Sequence, residues 1–232
     1  MSDTIVDRYN NIQKRIKEAC EKCGRDPSEI MLVAVSKTKP DENITELLNH
    51  GQFHFGENRA KALEDRMQRL SSPDIIWHFI GNLQTNKIKY MVNRVDWIQS
   101  IHKKKALKEV EKRASRIERE INVLIQVNIS REDQKSGCHP DDLEKLLTYA
   151  QNLKHTKVRG LMGMATFTDD AESVRPEFEK LRKLKEKYAH LSKGSVDLKH
   201  LSMGMTNDLE VAIEEGSTMV RIGTAIFGER NY

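Results

Sequence analysis

Short apolar runs alternate with longer segments of helical periodicity along most of the chain. Runs of four to eight aliphatic, β-branched or aromatic residues are typical of buried strands, and apolar residues three or four positions apart are typical of helices. The pattern predicts strands over 31–36, 53–55, 75–80, 95–99, 122–128, 158–162, 197–201 and 218–222. It predicts helices near 41–50, 57–70, 84–92, 102–119, 140–152, 170–190 and 206–215, after an N-terminal helix that ends near Cys23.

Eight strands that alternate with helices predict parallel pairing through βα units. The count of eight and the length of 232 residues favour an α/β fold with a closed (β/α)₈ TIM barrel and an extra N-terminal helix. A doubly wound open sheet is the alternative, but eight parallel strands would make a large sheet for this length. No Pro/Gly/Ser-rich linker divides the chain, so residues 1–232 are predicted to form a single domain.

Composition narrows the functional classes. No apolar stretch approaches the roughly 20 residues that cross a bilayer, and the N-terminus lacks the apolar segment of a signal peptide. The sequence therefore predicts a cytoplasmic protein without membrane contact. The net charge is only +4, and the one dense basic run, at 103–105, opens a helix that mixes both signs, which argues against nucleic-acid binding.

Three cysteines leave their role open. Cys20 and Cys23 form a C-x-x-C, but it lies in a charged helical segment, and no second pair completes a metal site. Cys138 is remote in sequence. Neither a zinc site nor any other metal site is predicted.

Lys37 ends the first predicted strand and is the most informative single position. A lysine held in dry surroundings loses its proton more readily than in water, which is how lysines become Schiff-base formers. A strand-end lysine that extends to solvent is the plainer alternative. In a (β/α)₈ barrel the chemistry lies where strands run into helices, and polar residues or glycines follow nearly every predicted strand here.

The ends of the last two strands suggest a phosphate site. Barrels frequently bind phosphate with the loops after strands seven and eight, where Ser202, Gly223 and Thr224 lie. Glycines also end strands for packing reasons alone. A cofactor with an aldehyde that reaches Lys37 and a phosphate at its other end would join the two sites, and pyridoxal 5′-phosphate (PLP) has that shape. Arg221 could point inward at its ring nitrogen or form an interior ion pair.

The residues at these ends resemble those of a known family. The chain is similar, over almost its whole length, to the single-domain pyridoxal-phosphate homeostasis proteins, which are related to the N-terminal barrel of alanine racemase. The motifs that carry the resemblance are VAVSKT (33–38), FGENR (55–59), WHFIGNLQTNK (77–87), QVN (126–128), KSG (135–137), GLMGM (160–164), LSMGM (201–205) and VRIGTAIFG (220–228).

The resemblance implies a fold-type III barrel that holds PLP as a Schiff base on Lys37. It implies that Arg221 faces the ring nitrogen, and that Asn58 and Met203 lie near the cofactor. It assigns the phosphate to three residues: Ser202, Gly223 and Thr224. The chain departs from the family pattern after position 205, although Thr206 keeps a hydroxyl where the family more often has serine.

The resemblance favours a carrier over an enzyme. Related racemases need a second, β-rich domain that supplies a catalytic tyrosine, and two-base racemisation needs a group on each face of the substrate. Only Lys37 is identified here, because His78 lies inside the third strand as a satisfied barrel histidine would. We therefore expect a monomer that buffers PLP or delivers it to apo PLP-dependent enzymes. A PLP-dependent racemase of unknown substrate and a sugar-phosphate aldolase or isomerase remain as alternatives.

Overall fold

Eight parallel strands close into a barrel in the computed structural model, which describes residues 3–130 and 136–229. Each strand pairs with the next in sequence, and β8 returns to β1 to close the barrel. The strands are β1 Met31–Val35, β2 His54–Glu57, β3 Ile76–Phe79, β4 Trp97–Ile101, β5 Ile121–Gln126, β6 Thr156–Met162, β7 Val196–Ser202 and β8 Met219–Ile222. The predicted (β/α)₈ barrel is confirmed, while Lys135 of the KSG motif lies outside the described residues.

Helices connect the strands and surround the barrel. They are α1 Ile5–Cys23, α2 Asp41–Asn49, α3 Ala60–Arg69, α4 Lys104–Arg116, α5 Leu143–Ala150, α6 Arg175–Lys187, α7 Leu209–Glu214 and α8 Thr224–Phe227. Short 3₁₀ turns lie at Pro27–Glu29, Thr85–Tyr90, Pro140–Asp142, Ala171–Val174 and Ala189–Leu191.

The prediction of an α-helix near 84–92 is wrong. The segment Thr85–Tyr90 forms a 3₁₀ helix, and only Ile88 within it is buried. One buried side chain cannot form the apolar stripe that fixes several α-helical turns against a barrel. The connection from β3 to β4 is therefore a compact turn and not a full βα unit.

The extra N-terminal helix α1 packs against α7 and α8. A capping box between Thr4 and Asp7 begins it, and Gly24 ends it in the left-handed conformation at φ 71°. Arg8 Nε donates to the carbonyl of Ile226 at 2.7 Å, and Arg15 pairs with Glu210. The helix therefore fixes the segment that follows β8, next to the barrel mouth.

The barrel interior differs from the layer between strands and helices. The outer layer is a large aliphatic and aromatic core. Inside the barrel a small apolar cluster of Trp97, Leu124, Met162 and Met219 surrounds polar side chains that are fully or almost fully buried: His78, Gln99, Ser202 and Arg221.

Neither a membrane helix nor a metal cluster occurs in the part of the chain that the structure describes. No helix of residues 3–130 and 136–229 is long and apolar enough to span a bilayer. In the same residues no group of three or more His, Cys, Asp or Glu side chains could hold a metal ion. Cys20, Cys23 and Cys138 are all unpaired, and burial raises the pKa of the Cys138 thiol to about 12.

Candidate functional site

A cavity of about 330 Å³ lies at the barrel mouth, where β1, β2 and β8 end. Five of the seven predicted site residues line it together: Lys37, Asn58, Arg221, Gly223 and Thr224. The other lining residues are Val35, Lys39, Ile80, Gly81, Met164, Met205, Thr206 and Gly228. The strands that are first and last in sequence are neighbours in a closed barrel, and this brings the two predicted halves of the site together.

Lys37 lies in a tight turn directly after β1 and is half-buried. The amide of Lys39 donates to the carbonyl of Ser36 at 3.0 Å, and this hydrogen bond closes the turn. Thr38 has φ 63°, a left-handed conformation that costs a β-branched residue free energy and persists only where the surroundings impose it. The turn that presents Lys37 is therefore held by its environment.

Arg66 on α3 supplies that environment. Its guanidinium donates to the carbonyls of Ser36 at 2.9 Å and Lys39 at 2.5 Å, and it pairs with Glu57 at 2.7 Å. Burial raises the pKa of Glu57, while the Arg66 charge opposes that rise. The sequence did not predict this brace, although Glu57 belongs to the FGENR motif and its place at the end of a strand was a signal.

Lys39 is a second lysine that lines the cavity and that the sequence did not predict. Its ammonium donates to the carbonyls of Gly228 at 2.8 Å and Glu229 at 2.5 Å. These bonds tie the turn after β1 to the segment after α8. The amine of Lys39 is therefore engaged in holding the cavity wall.

Arg221 forms the floor of the cavity from β8. Its guanidinium donates to Ser202 Oγ at 2.6 Å and to the carbonyl of Gly163 at 3.0 Å. Burial lowers the pKa of Arg221 to about 10, and the nearby Asp208 opposes this shift. A pKa near 10 still leaves the side chain protonated and a donor at neutral pH.

Gly223 and Thr224 form the wall where β8 passes into α8. The first amides of a helical turn have no partner within the turn, so the amides of Thr224 and Ala225 are donors without an intrahelical acceptor. The Thr224 side chain is exposed and adds a hydroxyl. This corner offers the donors that a phosphate group accepts from.

Gly81 fixes the position of Asn58 on the far side of the cavity. A Cβ at residue 81 would lie 1.9 Å from the carbonyl oxygen of Asn58, closer than any side chain permits. The close approach of the two backbones therefore requires glycine. Asn58 itself is exposed at the mouth, as its predicted place near a ligand requires.

Ser202 and Met203 do not line the cavity. Ser202 is 0% exposed, and its hydroxyl donates to Gln99 Oε1 at 2.7 Å while it accepts from Arg221. Met203 is also fully buried and joins the outer core. The structure thus places Ser202 behind Arg221, inside the barrel, and its predicted contact with phosphate stays a prediction.

His78 is a satisfied interior residue. It is fully buried, with Nδ1 at 2.8 Å from Gln99 Nε2 and Nε2 at 3.0 Å from His54 Nδ1. Burial, reinforced by His54 and His200, holds its pKa well below the usual value, so the ring is neutral. It does not reach the cavity.

The charges around the cavity all have one sign. Among the described residues that line it, the ionisable side chains are Lys37, Lys39 and Arg221, which are all basic, and no carboxyl group is present. Three basic side chains around a cavity of about 330 Å³ suit a small anionic ligand. An amine, a guanidinium and free amides also match the aldehyde, ring nitrogen and phosphate of PLP, so the residues fit that cofactor.

Comparison with known proteins agrees with this geometry. The family model for the N-terminal domain of alanine racemase matches residues 8–231. The pyridoxal phosphate homeostasis protein of Aquifex aeolicus is 43% identical over 97% of this chain and 98% of its own length. That of Escherichia coli K12 is 40% identical over 98% of this chain and 97% of its own length.

Solved structures show the same barrel. The structure of PipY from Synechococcus elongatus with PLP bound superposes with a TM-score of 0.80 at 31% identity and covers 92% of this chain and 100% of that one. Alanine racemase from Corynebacterium glutamicum shares the fold alone, with a TM-score of 0.72 at 14% identity over 95% of this chain and 62% of that one. With its mouth cavity and its full-length matches, the chain belongs to the family of pyridoxal phosphate homeostasis proteins, built on the alanine racemase N-terminal domain.

Proposed function

We propose that this protein binds PLP as a Schiff base on Lys37 and buffers or delivers the cofactor with little or no turnover. The observation that carries the proposal is the cavity that brings Lys37 to face Arg221, Gly223 and Thr224. A full-length relative whose structure contains PLP adds independent support. A sugar-phosphate aldolase would share the lysine and the anion site, but nothing else favours it.

Each wall of the cavity has a separate task in this proposal. When bound, PLP supplies an aldehyde that condenses with an amine and releases water. The braced turn holds the Lys37 amine at the mouth. Arg221 stays protonated and donates, so it provides no proton acceptor and would leave a ring nitrogen unprotonated. The free amides after Gly223 and the Thr224 hydroxyl would hold the phosphate.

The phosphate assignment is tested by Thr224→Val, which removes one hydroxyl and keeps the shape. We expect PLP to bind about tenfold more weakly, because a hydrogen bond to a charged group is lost. Pyridoxal, which has no phosphate, should bind the variant and the wild type equally in a fluorescence titration. Thr45→Val on the exposed face of α2 is the matched control. Equal weakening of both ligands would refute the assignment.

The low turnover follows from the lining side chains. Two-base racemisation needs a second acid or base across the substrate from the lysine. Among the described lining residues the other ionisable groups are Lys39, which is bound to two carbonyls, and Arg221, which keeps its proton. Chiral chromatography of amino acids incubated with the PLP-loaded protein should show no racemisation. Turnover at an ordinary enzyme rate of about 1 s⁻¹ or more would contradict the carrier role.

We further propose a cytoplasmic monomer that passes PLP to apo enzymes. The three unpaired cysteines suit a reducing compartment. The large apolar side chains that are exposed in the described residues lie on three different connections of the fold: Phe53, Ile117 and Phe167. Sedimentation should give the mass of one chain, and the loaded protein should reactivate an apo PLP-dependent enzyme. The mass of a dimer would overturn the monomeric state, and a failure to reactivate the apo enzyme would overturn the delivery of PLP.

A further inference from the structure

A continuous chain of hydrogen bonds crosses the barrel interior from the mouth to the opposite end. Arg221 at the cavity floor binds Ser202 at 2.6 Å, and Ser202 binds Gln99 at 2.7 Å. Gln99 binds His78 at 2.8 Å, and His78 binds His54 at 3.0 Å. His54 is the first residue of β2, so the chain ends at the amino-terminal end of the barrel.

The surroundings of this chain of hydrogen bonds are apolar. Gln99, Ser202 and His78 are 0% exposed. The His78 ring stacks on Trp97 with centroids 5.6 Å apart and planes at 6°. Because no solvent reaches these groups, each must find its hydrogen-bond partner among the neighbouring side chains of the hydrogen-bond series. A mismatch at one link would leave a buried polar group unsatisfied.

The donors in this chain can point in only one direction. A guanidinium only donates, so Ser202 Oγ accepts from Arg221 and donates its own hydrogen bond to Gln99 Oε1. The Gln99 amide nitrogen then donates to His78 Nδ1, which must be unprotonated. His78 therefore carries its proton on Nε2 and donates it to His54 Nδ1. The positive charge at the mouth thus sets the tautomer of both histidines.

We propose that Gln99 is a positioning residue for Arg221. By accepting the hydrogen bond of the Ser202 hydroxyl, Gln99 turns the serine lone pairs toward the guanidinium and aims Arg221 into the cavity. The neutral His78 in turn keeps the Gln99 amide in the required orientation. This inference rests on the proposed PLP function and gives Ser202 a different task from the phosphate contact that the sequence suggested.

Two substitutions at position 99 test the proposal. Gln99→Met removes the acceptor for Ser202. Gln99→Glu keeps that acceptor, and His78 must then carry its proton on Nδ1 to donate to the new carboxylate. We expect Gln99→Met to bind PLP about tenfold more weakly and to shift the visible absorption maximum of the bound cofactor. Gln99→Glu should retain the wild-type maximum. Gln126→Met is the matched control, because Gln126 on β5 is only 2% exposed and does not line the cavity. Circular dichroism verifies the fold of every variant.

Ser202→Ala separates positioning from phosphate binding and serves as the second variant if Gln99→Met does not fold. Acting through Arg221, it should weaken pyridoxal and PLP by the same factor. A loss for PLP alone would overturn the positioning role and restore the phosphate contact. A folded Gln99→Met with the affinity and absorption maximum of the Gln126→Met control would also overturn it.

A measurement without cofactor distinguishes failure of the inference from failure of the proposed function. Histidine ¹⁵N spectra of the wild-type protein should show His78 as the neutral Nε2–H tautomer at pH 7. A His78 proton on Nδ1 would overturn the inference even in a protein that binds PLP. Wild-type protein that binds no PLP would overturn the proposed function, and with it the role of Gln99 toward the cofactor.

Discussion

Replacement of Arg66 by methionine tests how the lysine turn is held. The change leaves Glu57 buried without its partner and removes the donor to the carbonyls of Ser36 and Lys39. The two lost hydrogen bonds cost about 1 kcal/mol each. The Glu57 charge adds at most about 3.4 kcal/mol at pH 7, because protonating a carboxyl of reference pKa 4.5 costs about 1.36 kcal/mol per pH unit above it. We expect Arg66→Met to lower the free energy of unfolding by about 3–5 kcal/mol, as is typical of a buried ion pair that loses one partner.

The charge-dependent part of this loss should vary with pH. A folded-state pKa of Glu57 above its unfolded value means that the folded chain binds the proton more tightly. Stability is therefore lost as pH rises from the unfolded value toward the folded one. At pH 5 the Glu57 charge contributes at most about 0.8 kcal/mol. The deficit of Arg66→Met, which is its unfolding free energy subtracted from that of the wild type, should therefore shrink by about 2 kcal/mol between pH 7 and pH 5.

Urea unfolding of the variant and the wild type at both pH values measures the deficit. In a Glu57→Gln background Arg66→Met should cost only about 2 kcal/mol and show no pH dependence. Arg69→Met is the control, because the Arg69 side chain is 56% exposed and keeps only the pair with Asp41, a carboxylate that Arg66 also contacts at 3.2 Å. This variant should lose less than about 1 kcal/mol of unfolding free energy. A deficit that is equal at pH 7 and pH 5 would refute the role assigned to the Glu57 charge.

Two further predictions follow from the backbone and the barrel interior. Gly81→Ala should destabilise the fold by about 2 kcal/mol or more and weaken PLP binding, since its Cβ would lie 1.9 Å from the Asn58 carbonyl oxygen. Gly223→Ala is the control, because its Cβ would only touch Val35 at 3.4 Å, and it should keep the wild-type melting temperature. Equal melting temperatures of the two variants would refute the argument. Burial lowers the pKa of three histidines in the folded protein: His54, His78 and His200. Below the unfolded pKa of 6.5 only the unfolded chain takes up protons on these rings, so acid should destabilise the protein. The loss of unfolding free energy is at most about 1.4 kcal/mol per pH unit for each histidine. Urea unfolding at pH 7.5 and 5.5 measures this loss, and equal stability at the two pH values would contradict it.

The barrel and the place of the lysine could be predicted from sequence because both depend on local patterns. Alternation of strands and helices determines the fold, and the end of an apolar run locates Lys37. Closure of the barrel then brings Lys37 to Gly223 without further information. These features need only the order of elements along the chain.

The inner contacts could not be predicted, because they depend on which face of each strand points inward. The end of a strand locates Ser202, but only the register of β7 shows that its hydroxyl donates to Gln99, 103 positions earlier in sequence. The contact of Ser202 with phosphate stays a prediction. A one-residue shift in register moves a side chain to the other face of a strand. The Glu57–Arg66 brace likewise joins a strand to the face of the following helix, which periodicity alone does not pair.

The absorption spectrum of the purified protein with added PLP, before and after borohydride, tests the central claim most directly. Wild-type protein should show a visible imine band that borohydride abolishes, and Lys37→Ala should lack the band. Lys39→Ala, which removes the neighbouring cavity amine, should keep it. A band that survives in Lys37→Ala, or a wild-type protein that stays colourless with PLP, would contradict the assignment of Lys37 as the residue that holds the cofactor.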